Sequence, residues 1–259
     1  MTIKEWLSMA RQKIEPLDAE LILLHFIASD QDRSWLISHD DTAISDDVLT
    51  QINTALNERA QGKPLAYITH KREFYGRDFY VKDTLIPRIE TEDIIDIIRE
   101  LKPVKLIDVG TGSGVIAITS KLEVPSCSVT AIDVDKNALA TAKKNAANLN
   151  ADISFLHNSL LENIAVDSET TIVANLPYVN RDWDWLDKTS LDYEPEIALY
   201  AEDGGLKLIY ELIEQLGQNG KNLILEADPC QHEKIVDFAK DFGWSLHEIR
   251  NFIVFLKRK

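Results

Sequence analysis

The sequence predicts an α/β protein in which a small helical domain precedes a doubly wound, mostly parallel β-sheet. Apolar residues recur at three- and four-residue spacing through about the first 75 residues, as on the buried faces of helices. Two apolar-aromatic runs then flank Gly76 in "EFYGRDFYV", which is typical of a β-hairpin. Beyond the hairpin, short apolar runs alternate with helical patterns, and this alternation indicates βαβ units.

Helices are predicted in the N-terminal part over "IKEWLSMARQKI", "LDAELILLHFIAS" and "SDDVLTQINTALNERAQG". None of these segments carries a pattern typical of catalysis. We therefore interpret this part as a recognition or packing domain.

The sheet is predicted to contain seven strands, and helices separate most of them. The final two strands follow each other directly, so we expect one of them to run antiparallel at or near the sheet edge. The predicted strands are "VKLIDV", "SVTAID", "ISFL", "TIVA", "NLILE", "SLHEI" and "FIVFLK".

The composition is that of a soluble globular protein with an acidic surface. The formal net charge is −15, from 43 acidic and 28 basic residues. Such a charge opposes binding to nucleic-acid phosphates, and it either favours a basic partner or only keeps the protein soluble. No apolar stretch is long enough to span a bilayer, and charges interrupt the N-terminus where a signal peptide would be apolar. We expect no membrane partner.

The cysteines and histidines predict neither a disulfide framework nor a metal site. The chain has two cysteines, Cys127 and Cys230, without metal-ligand spacing. His157 and His232 have no partner histidines or cysteines at such spacing. A cytoplasmic protein with idle thiols and no metal is the simplest interpretation.

A glycine-rich turn follows the first predicted strand of the sheet in "LIDVGTGSGVIAI". Glycines there permit positive φ angles and a close approach of ligand to backbone, and the following helix offers free N–H groups. The turn has neither the dinucleotide spacing nor the Gly-Lys-Ser/Thr of a phosphate loop, and it contains no Lys or Arg. The predicted ligand-binding residues of this turn are Gly110, Thr111, Gly112, Ser113 and Gly114.

Asp133 ends the second strand of the sheet, where an acid can accept hydrogen bonds from both ribose hydroxyls of an adenosine. The alternative is that Asp133 caps the next helix, a role that Asp135 can also fill. A nucleoside without phosphates fits the uncharged glycine turn. S-adenosylmethionine is such a ligand and is the predicted cofactor.

"NLPY", Asn175 to Tyr178, follows the fourth strand of the sheet. Asn and Pro favour a plain turn on their own. The crevice of a parallel sheet lies at the carboxyl ends of its strands, so the position favours a pocket that holds a planar nitrogen instead.

The chain resembles class I S-adenosylmethionine-dependent methyltransferases, and more closely the protein-glutamine N5-methyltransferases of peptide chain release factors (the HemK/PrmC type). The resemblance runs from about residue 62 to 230, and the N-terminal helices match only in length and pattern. The similar segments are "GKPLAYI…REFYGRDFYV…LIPRIETE", "DVGTGSGVIAI", "AIDVDKNALATAKKNAANL" and "YEPEIALYAEDGGLKLI".

The resemblance implies a seven-stranded, Rossmann-like methyltransferase domain over residues 89–259. It also implies a β-hairpin linker over residues 73–88 and a helical substrate-recognition domain over residues 1–72. The implied reaction is methyl transfer to the glutamine of a release factor's Gly-Gly-Gln motif. We expect a monomer whose partner is the release factor, without direct nucleic-acid binding.

The implied catalytic loop comprises Asn175, Leu176, Pro177 and Tyr178. The Asn175 side-chain oxygen and the Leu176 carbonyl are expected to accept the two N–H bonds of the glutamine amide. Pro177 restricts Leu176 to extended conformations, and Tyr178 is expected to pack on the amide. Asn175 and Leu160 are also expected to contact the cofactor.

Departures from the family pattern, and one pair of charged residues, leave alternatives open. The family motif is Asn-Pro-Pro-Tyr, and Asn-Leu-Pro-Tyr also occurs in ribosomal RNA adenine dimethylases. An adenine-N6 methyltransferase is therefore one alternative function. The changed C-terminal segments "ILEADPCQHEKI" and "RNFIVFLKRK" leave a catalytically degenerate binding protein as another. Ser159 stands where relatives often carry an acid near the adenine. Arg88 and Glu90 form either a structural ion pair or part of the wall that admits substrate.

Overall fold

The structure is a computed structural model that describes residues 1–184 and 191–258. Its chain forms two compact units. One contains residues 1–71 and 191–193, and the other contains residues 72–184 and 194–258. The β-hairpin, which the sequence set apart as a linker, falls within the larger unit.

The smaller unit is helical. Thr2 caps its first helix in a capping box with Glu5. Trp6 is fully buried, and its indole N–H donates to Asn53 Oδ1 over 3.0 Å, so its polar atom is satisfied inside an apolar core. The helices are α1 (Ile3–Ala10), α2 (Pro16–Ile27), α3 (Arg33–Ser38), α4 (Asp46–Ala60) and α5 (Leu65–Thr69).

The larger unit contains two sheets and six helices over the described residues. Its strands are β1 (Lys71–Phe74), which begins at the last residue of the smaller unit, β2 (Arg77–Tyr80), β3 (Lys105–Val109), β4 (Ser128–Asp133), β5 (Ser154–His157), β6 (Thr170–Ala174), β7 (Asn222–Glu226), β8 (Trp244–Arg250) and β9 (Ile253–Arg258). Its helices are α6 (Glu92–Leu101), α7 (Val115–Glu123), α8 (Lys136–Asn148), α9 (Glu196–Leu199), α10 (Lys207–Leu216) and α11 (His232–Lys240).

The main sheet has seven strands in the order β5-β4-β3-β6-β7-β9-β8. The pairs from β5 to β7 are parallel, whereas β9 pairs antiparallel with both β7 and β8. The predicted fold class is confirmed, and so is the antiparallel strand near one edge. Strands β1 and β2 form the predicted hairpin.

Helices cover both faces of the main sheet. The residues of β6 show this, because neighbouring residues belong to different hydrophobic cores. In β6, Val173 belongs to the core with α6 and α7, whereas Ile172 and Ala174 belong to the core with α10 and α11. All five residues of β6 are buried. A strand that is buried on both sides reads as a continuous apolar run, which is why "TTIVA" was recognisable from sequence.

The parallel register brings four functional candidates to one edge of the sheet. Val109 pairs with residues 132 and 174 in the neighbouring strands, and Ala174 pairs with Leu225. The next residues, Gly110, Asp133, Asn175 and Glu226, therefore leave the sheet at the same end. Strand β3 has β4 beside it on one side and β6 on the other, so the strand order reverses direction at β3. Ligands of open parallel sheets bind at such a switch point.

No helix among the described residues is long and apolar enough to cross a membrane.

Candidate active site

A cleft opens at the carboxyl ends of β3, β4 and β6. Its walls come from the glycine turn, the end of β4, the turn after β5, the Asn-Leu-Pro loop and the segments beside α6 and α9. The lining includes Asp83, Leu85, Pro87, Arg88, Thr91, Gly110, Thr111, Gly112, Ser113, Asp133, Val134, Asp135, Asn158, Ser159, Leu160, Asn175, Leu176, Pro177, Pro195 and Ile197.

Gly112 gives the glycine turn its open side. Its φ is +56°, and a Cβ placed there would meet no heavy atom within 4 Å. The residue lines the cleft, so a ligand can approach the backbone closely at this point. Thr111 and Ser113 are buried in the same turn, and Gly114 is the N-cap residue of α7.

Asp108 stabilises the glycine turn through hydrogen bonds, a role that the sequence did not predict. Its Oδ2 accepts from the Thr111 hydroxyl over 2.6 Å and from the Ala117 N–H over 3.1 Å. Its Oδ1 has no hydrogen-bond partner among the described residues. Complete burial raises the pKa of Asp108 to about 7. The available signal was an acid inside the otherwise apolar run "LIDV".

Asp133 joins the end of β4 to the glycine turn. Its Oδ2 accepts from the Gly112 N–H over 2.8 Å, and its Oδ1 accepts from the Asp135 N–H over 2.9 Å. Burial raises the pKa of Asp133 despite these hydrogen bonds. Asp135 is the N-cap of α8 and accepts from the Asn137 N–H. The capping alternative therefore belongs to Asp135, and the ribose role of Asp133 stays a prediction.

Leu160 and Ser159 line the cleft in the turn after β5. Leu160 is buried with a φ of +46°, an unfavourable conformation for a leucine. The Asn158 side-chain amide supports the turn by donating to the carbonyls of Ser159, Leu160 and Glu162, the last over 2.9 Å. Leu160 thus presents an apolar wall to the cleft.

The loop after β6 places Asn175, Leu176 and Pro177 on the cleft wall. Asn175 Nδ2 donates to Thr91 Oγ1 over 3.2 Å. Neither Asn175 Oδ1 nor the Leu176 carbonyl accepts a hydrogen bond from any described residue. Two acceptors of the loop are thus available.

Tyr178 is not among the described residues that line the cleft. Its ring packs against the core shared with α10 and α11, and its hydroxyl donates to Glu226 Oε1 over 3.3 Å. Burial raises the pKa of Tyr178, so the hydroxyl stays protonated as a donor. The predicted packing on a substrate amide stays a prediction.

Arg88 lines the cleft and pairs with Glu194 rather than with Glu90. One guanidinium nitrogen donates to Glu194 Oε1 over 2.5 Å, and Glu194 Oε2 accepts from the Ile86 N–H over 2.9 Å. Glu194 is buried, so it connects the segment before α6 to the segment before α9 inside the protein. The two residues are 106 positions apart, and no local sequence pattern indicates their pairing.

No group of three or more His, Cys, Asp or Glu side chains among the described residues could hold a metal ion.

The fold, the site and two matching family models together define a class: the protein is a methyltransferase. Residues 91–186 match the "Methyltransferase small domain" family model, and residues 3–69 match the "PrmC N-terminal domain" model.

Relatives of known name narrow this class. The chain is 41% identical over 223 residues to the release factor glutamine methyltransferase of Flavobacterium psychrophilum, covering 81% of this chain and 78% of the relative. It is 36% identical to that of Koribacter versatilis, covering 85% and 83%. It is 34% identical to that of Enterococcus faecalis, covering 82% and 79%. The chain belongs to the family of release factor glutamine methyltransferases.

Solved structures share the fold at low identity. The hMettl16 catalytic domain in complex with a MAT2A 3′UTR hairpin has a TM-score of 0.54 at 16% identity, covering 82% of this chain and 79% of that chain. The Thermus thermophilus 16S rRNA N2 G1207 methyltransferase, in complex with AdoMet and guanosine, has a TM-score of 0.52 at 12% identity, covering 73% and 49%. These likenesses concern the fold alone.

Proposed function

We propose that the protein transfers a methyl group from S-adenosylmethionine to the side-chain amide nitrogen of the glutamine in a release factor's Gly-Gly-Gln motif. One observation carries this proposal beyond family membership. Asn175 donates its N–H to Thr91 and keeps its oxygen available on the cleft wall, beside the available carbonyl of Leu176. A primary amide needs two such acceptors.

A glutamine amide is a weak nucleophile because its nitrogen lone pair is delocalised into the carbonyl. The protein therefore has to hold the –NH₂ group in line with the methyl group at near-attack distance. Burial of that –NH₂ without acceptors would leave two donors unpaired, at a cost of roughly 1–3 kcal/mol each. Acceptors at fixed positions both orient the amide and offset its desolvation.

The two acceptors that the protein supplies to orient the substrate amide are Asn175 Oδ1 and the Leu176 carbonyl. A backbone carbonyl does not depend on the side chain that carries it, so leucine in place of the family's proline preserves the acceptor. Pro177 fixes its own φ and restricts Leu176 to extended conformations, which keeps that carbonyl in a defined direction. No strong base is required, because the N-methylated amide loses its extra proton readily.

The described residues fit S-adenosylmethionine. The methyl group that it supplies when bound is electrophilic because it is carried by a sulfonium. The open side of Gly112 allows a close backbone approach, Asp133 stands at the strand end that suits a ribose, and Leu160 offers an apolar surface. The turn from Gly110 to Gly114 has no Lys or Arg, which suits a ligand without phosphates.

The proposal also assigns a role to each part of the chain. We assign substrate recognition to residues 1–72, the linker to residues 73–88 and methyl transfer to residues 89–259. The separate matches of residues 3–69 and 91–186 to two family models support this assignment.

Incubation with labelled S-adenosylmethionine tests the proposed function. The substrates are a release factor, the same factor with asparagine in place of the Gly-Gly-Gln glutamine, and ribosomal RNA. We expect label on the first alone, and the asparagine-substituted factor is its matched control. Label on RNA adenine would support the adenine methyltransferase, and cofactor binding without label would support the degenerate protein. Either result would overturn the proposal.

A further inference from the structure

Glu226 is a buried acid at the end of β7, directly behind the Asn-Leu-Pro-Tyr loop. It is 1% exposed, and its Oε1 accepts from the Tyr178 hydroxyl over 3.3 Å. Its Oε2 is buried without a hydrogen-bond partner among the described residues. An acid that is so poorly satisfied destabilises the fold, and such groups concentrate at functional sites.

The Asn175 amide can occupy its place in two orientations that exchange its oxygen and its nitrogen. Only one of them leaves the oxygen available to a substrate. In the structure Asn175 Nδ2 donates to Thr91 Oγ1, and Thr91 is buried. A hydroxyl that accepts from Asn175 keeps its own proton for another acceptor.

The Glu226 carboxylate offers an acceptor for the proton of the Thr91 hydroxyl. Its Oε1 accepts from the Tyr178 hydroxyl and its Oε2 has no described donor, so an acceptor oxygen is open. The polar side chains of Thr91, Tyr178 and Asn175 favour the charged form of the Glu226 carboxyl and lower its pKa, in opposition to burial. An ionised carboxylate accepts hydrogen bonds and cannot donate them. It therefore attracts the N–H end of the Asn175 amide and repels the oxygen end.

We propose that Glu226 is a positioning residue that acts through Thr91 to keep the oxygen of Asn175 available for the substrate amide. This inference rests on the proposed function, because the orientation matters only if Asn175 accepts a hydrogen bond from the substrate. Glu226 is not among the described residues that line the cleft. It gives direction to the hydrogen bond that Asn175 donates to Thr91.

Protonation of Glu226 would remove this direction. Burial first, and then the charge of Glu90, raise the pKa of Glu226, and the net value is about 7. Arg88 and Asp228 are the other charged groups near Tyr178. A protonated Glu226 can donate to Thr91, so both orientations of Asn175 become accessible. We expect kcat to fall as the pH falls through about 7.

Asp108 also has a pKa of about 7, so variants are needed to assign the pH dependence of kcat to Glu226. Glu226→Gln keeps the shape and removes the charge, and Thr91→Val removes the relaying hydroxyl. We expect each to lower kcat by about 10- to 100-fold while KM for S-adenosylmethionine changes by less than about twofold. Glu214→Gln, on the exposed side of α10, is the matched control with an unchanged kcat.

The double variant separates a shared chain of hydrogen bonds from two independent packing defects. We expect Glu226→Gln combined with Thr91→Val to lower kcat no further than either change alone, because both break the same connection. Independent defects would multiply their effects, and that result would overturn the proposal. A kcat–pH profile that keeps its limb near 7 in Glu226→Gln would overturn it as well.

A measurement that does not need turnover tests the role of Glu226 independently of the proposed function. The NMR signals of the Asn175 side-chain N–H₂ group are assigned by their loss in Asn175→Ala. We expect them to titrate near pH 7 in the natural sequence and to stay fixed in Glu226→Gln. Signals that titrate equally in both proteins, or in neither, would contradict the role of Glu226. Absence of methyl on glutamine would instead defeat the proposed function.

Discussion

The Leu176 side chain packs against Gly110 of the glycine turn. A Cβ placed on Gly110 would lie 2.9 Å from Leu176 Cδ2, and Leu176 is 4% exposed. The leucine that replaces the family's proline therefore belongs to the core shared with α10 and α11. Its side chain stabilises the loop, and its carbonyl is the group that the proposed reaction uses.

This arrangement predicts that Leu176→Ala separates stability from catalysis. Loss of a buried leucine should lower the free energy of unfolding by about 2–4 kcal/mol. The carbonyl remains, so we expect kcat to fall by less than about fivefold, as a change outside the reacting groups should. Urea unfolding and steady-state kinetics measure the two quantities. A loss of kcat as large as that of Asn175→Ala would show that the leucine side chain itself takes part in catalysis.

Asp133→Asn is predicted to weaken cofactor binding. An asparagine at the strand end keeps one acceptor oxygen but loses the charge and the second acceptor. We expect the Kd for S-adenosylmethionine to rise by about 10-fold or more, which corresponds to about 1.4 kcal/mol. Isothermal titration calorimetry measures this change.

Asp135→Asn is the matched control for that prediction. Asparagine is as good an N-cap as aspartate, so α8 should keep its stability. We expect a Kd within about threefold of the natural protein. Equal weakening by both variants would mean that the general negative charge of the cleft, and not the ribose contact of Asp133, holds the cofactor.

The Arg88–Glu194 pair predicts an asymmetric effect on stability. Arg88→Met leaves Glu194 Oε1 buried without its donor, which should lower the free energy of unfolding by roughly 1–3 kcal/mol. Glu194→Gln keeps an acceptor for the Ile86 N–H and should be milder. The double variant Arg88→Met with Glu194→Gln should be more stable than Arg88→Met alone, as measured by urea unfolding. A double variant less stable than both single variants would contradict the account of a buried, unpaired charge.

Two buried acids, Asp108 and Glu226, are predicted to lower the free energy of unfolding as the pH rises from about 5.5 to about 8, whereas His25, whose pKa burial lowers, acts in the opposite direction. Burial raises the pKa of Asp108 from 3.8 and that of Glu226 from 4.5, each to about 7. At these two acids the native state binds more protons than the unfolded chain across this window, so their contribution to the free energy of unfolding falls with rising pH. For Glu226 the full effect is about 3 kcal/mol at most.

Glu226→Gln should remove part of this pH dependence. Asp167 and Glu20 have lowered pKa values, so they are ionised in both states above about pH 5.5 and do not contribute to the slope. Urea unfolding at both ends of the window measures the difference. An equal slope in the natural protein and in Glu226→Gln would show that Glu226 titrates outside this range.

Much of the fold was predictable because it follows from local patterns. Strands buried on both faces read as apolar runs, and alternation with helices implies a parallel sheet. The convergence of Gly110, Asp133 and Asn175 followed as well, since the carboxyl ends of parallel strands share an edge.

The supporting residues of the site were not predictable in the same way. Asp108 lies within one apolar strand and Glu226 ends another, each as a single acid, and only their burial and partners in three dimensions reveal a role. For Arg88 the sequence offered a pair with nearby Glu90 or a place in the wall that admits substrate. The residue lines the cleft, and its partner Glu194 is distant in sequence. Tyr178 belongs to the predicted motif, yet its hydroxyl is turned to Glu226.

Tandem mass spectrometry of a release factor after incubation with S-adenosylmethionine tests the central claim most directly. The natural protein should add one methyl group to the side-chain nitrogen of the Gly-Gly-Gln glutamine. Asn175→Ala should add it at least about 100-fold more slowly, because a substrate-orienting acceptor is lost. A methyl group elsewhere in the factor, or undiminished methylation by Asn175→Ala, would contradict the account.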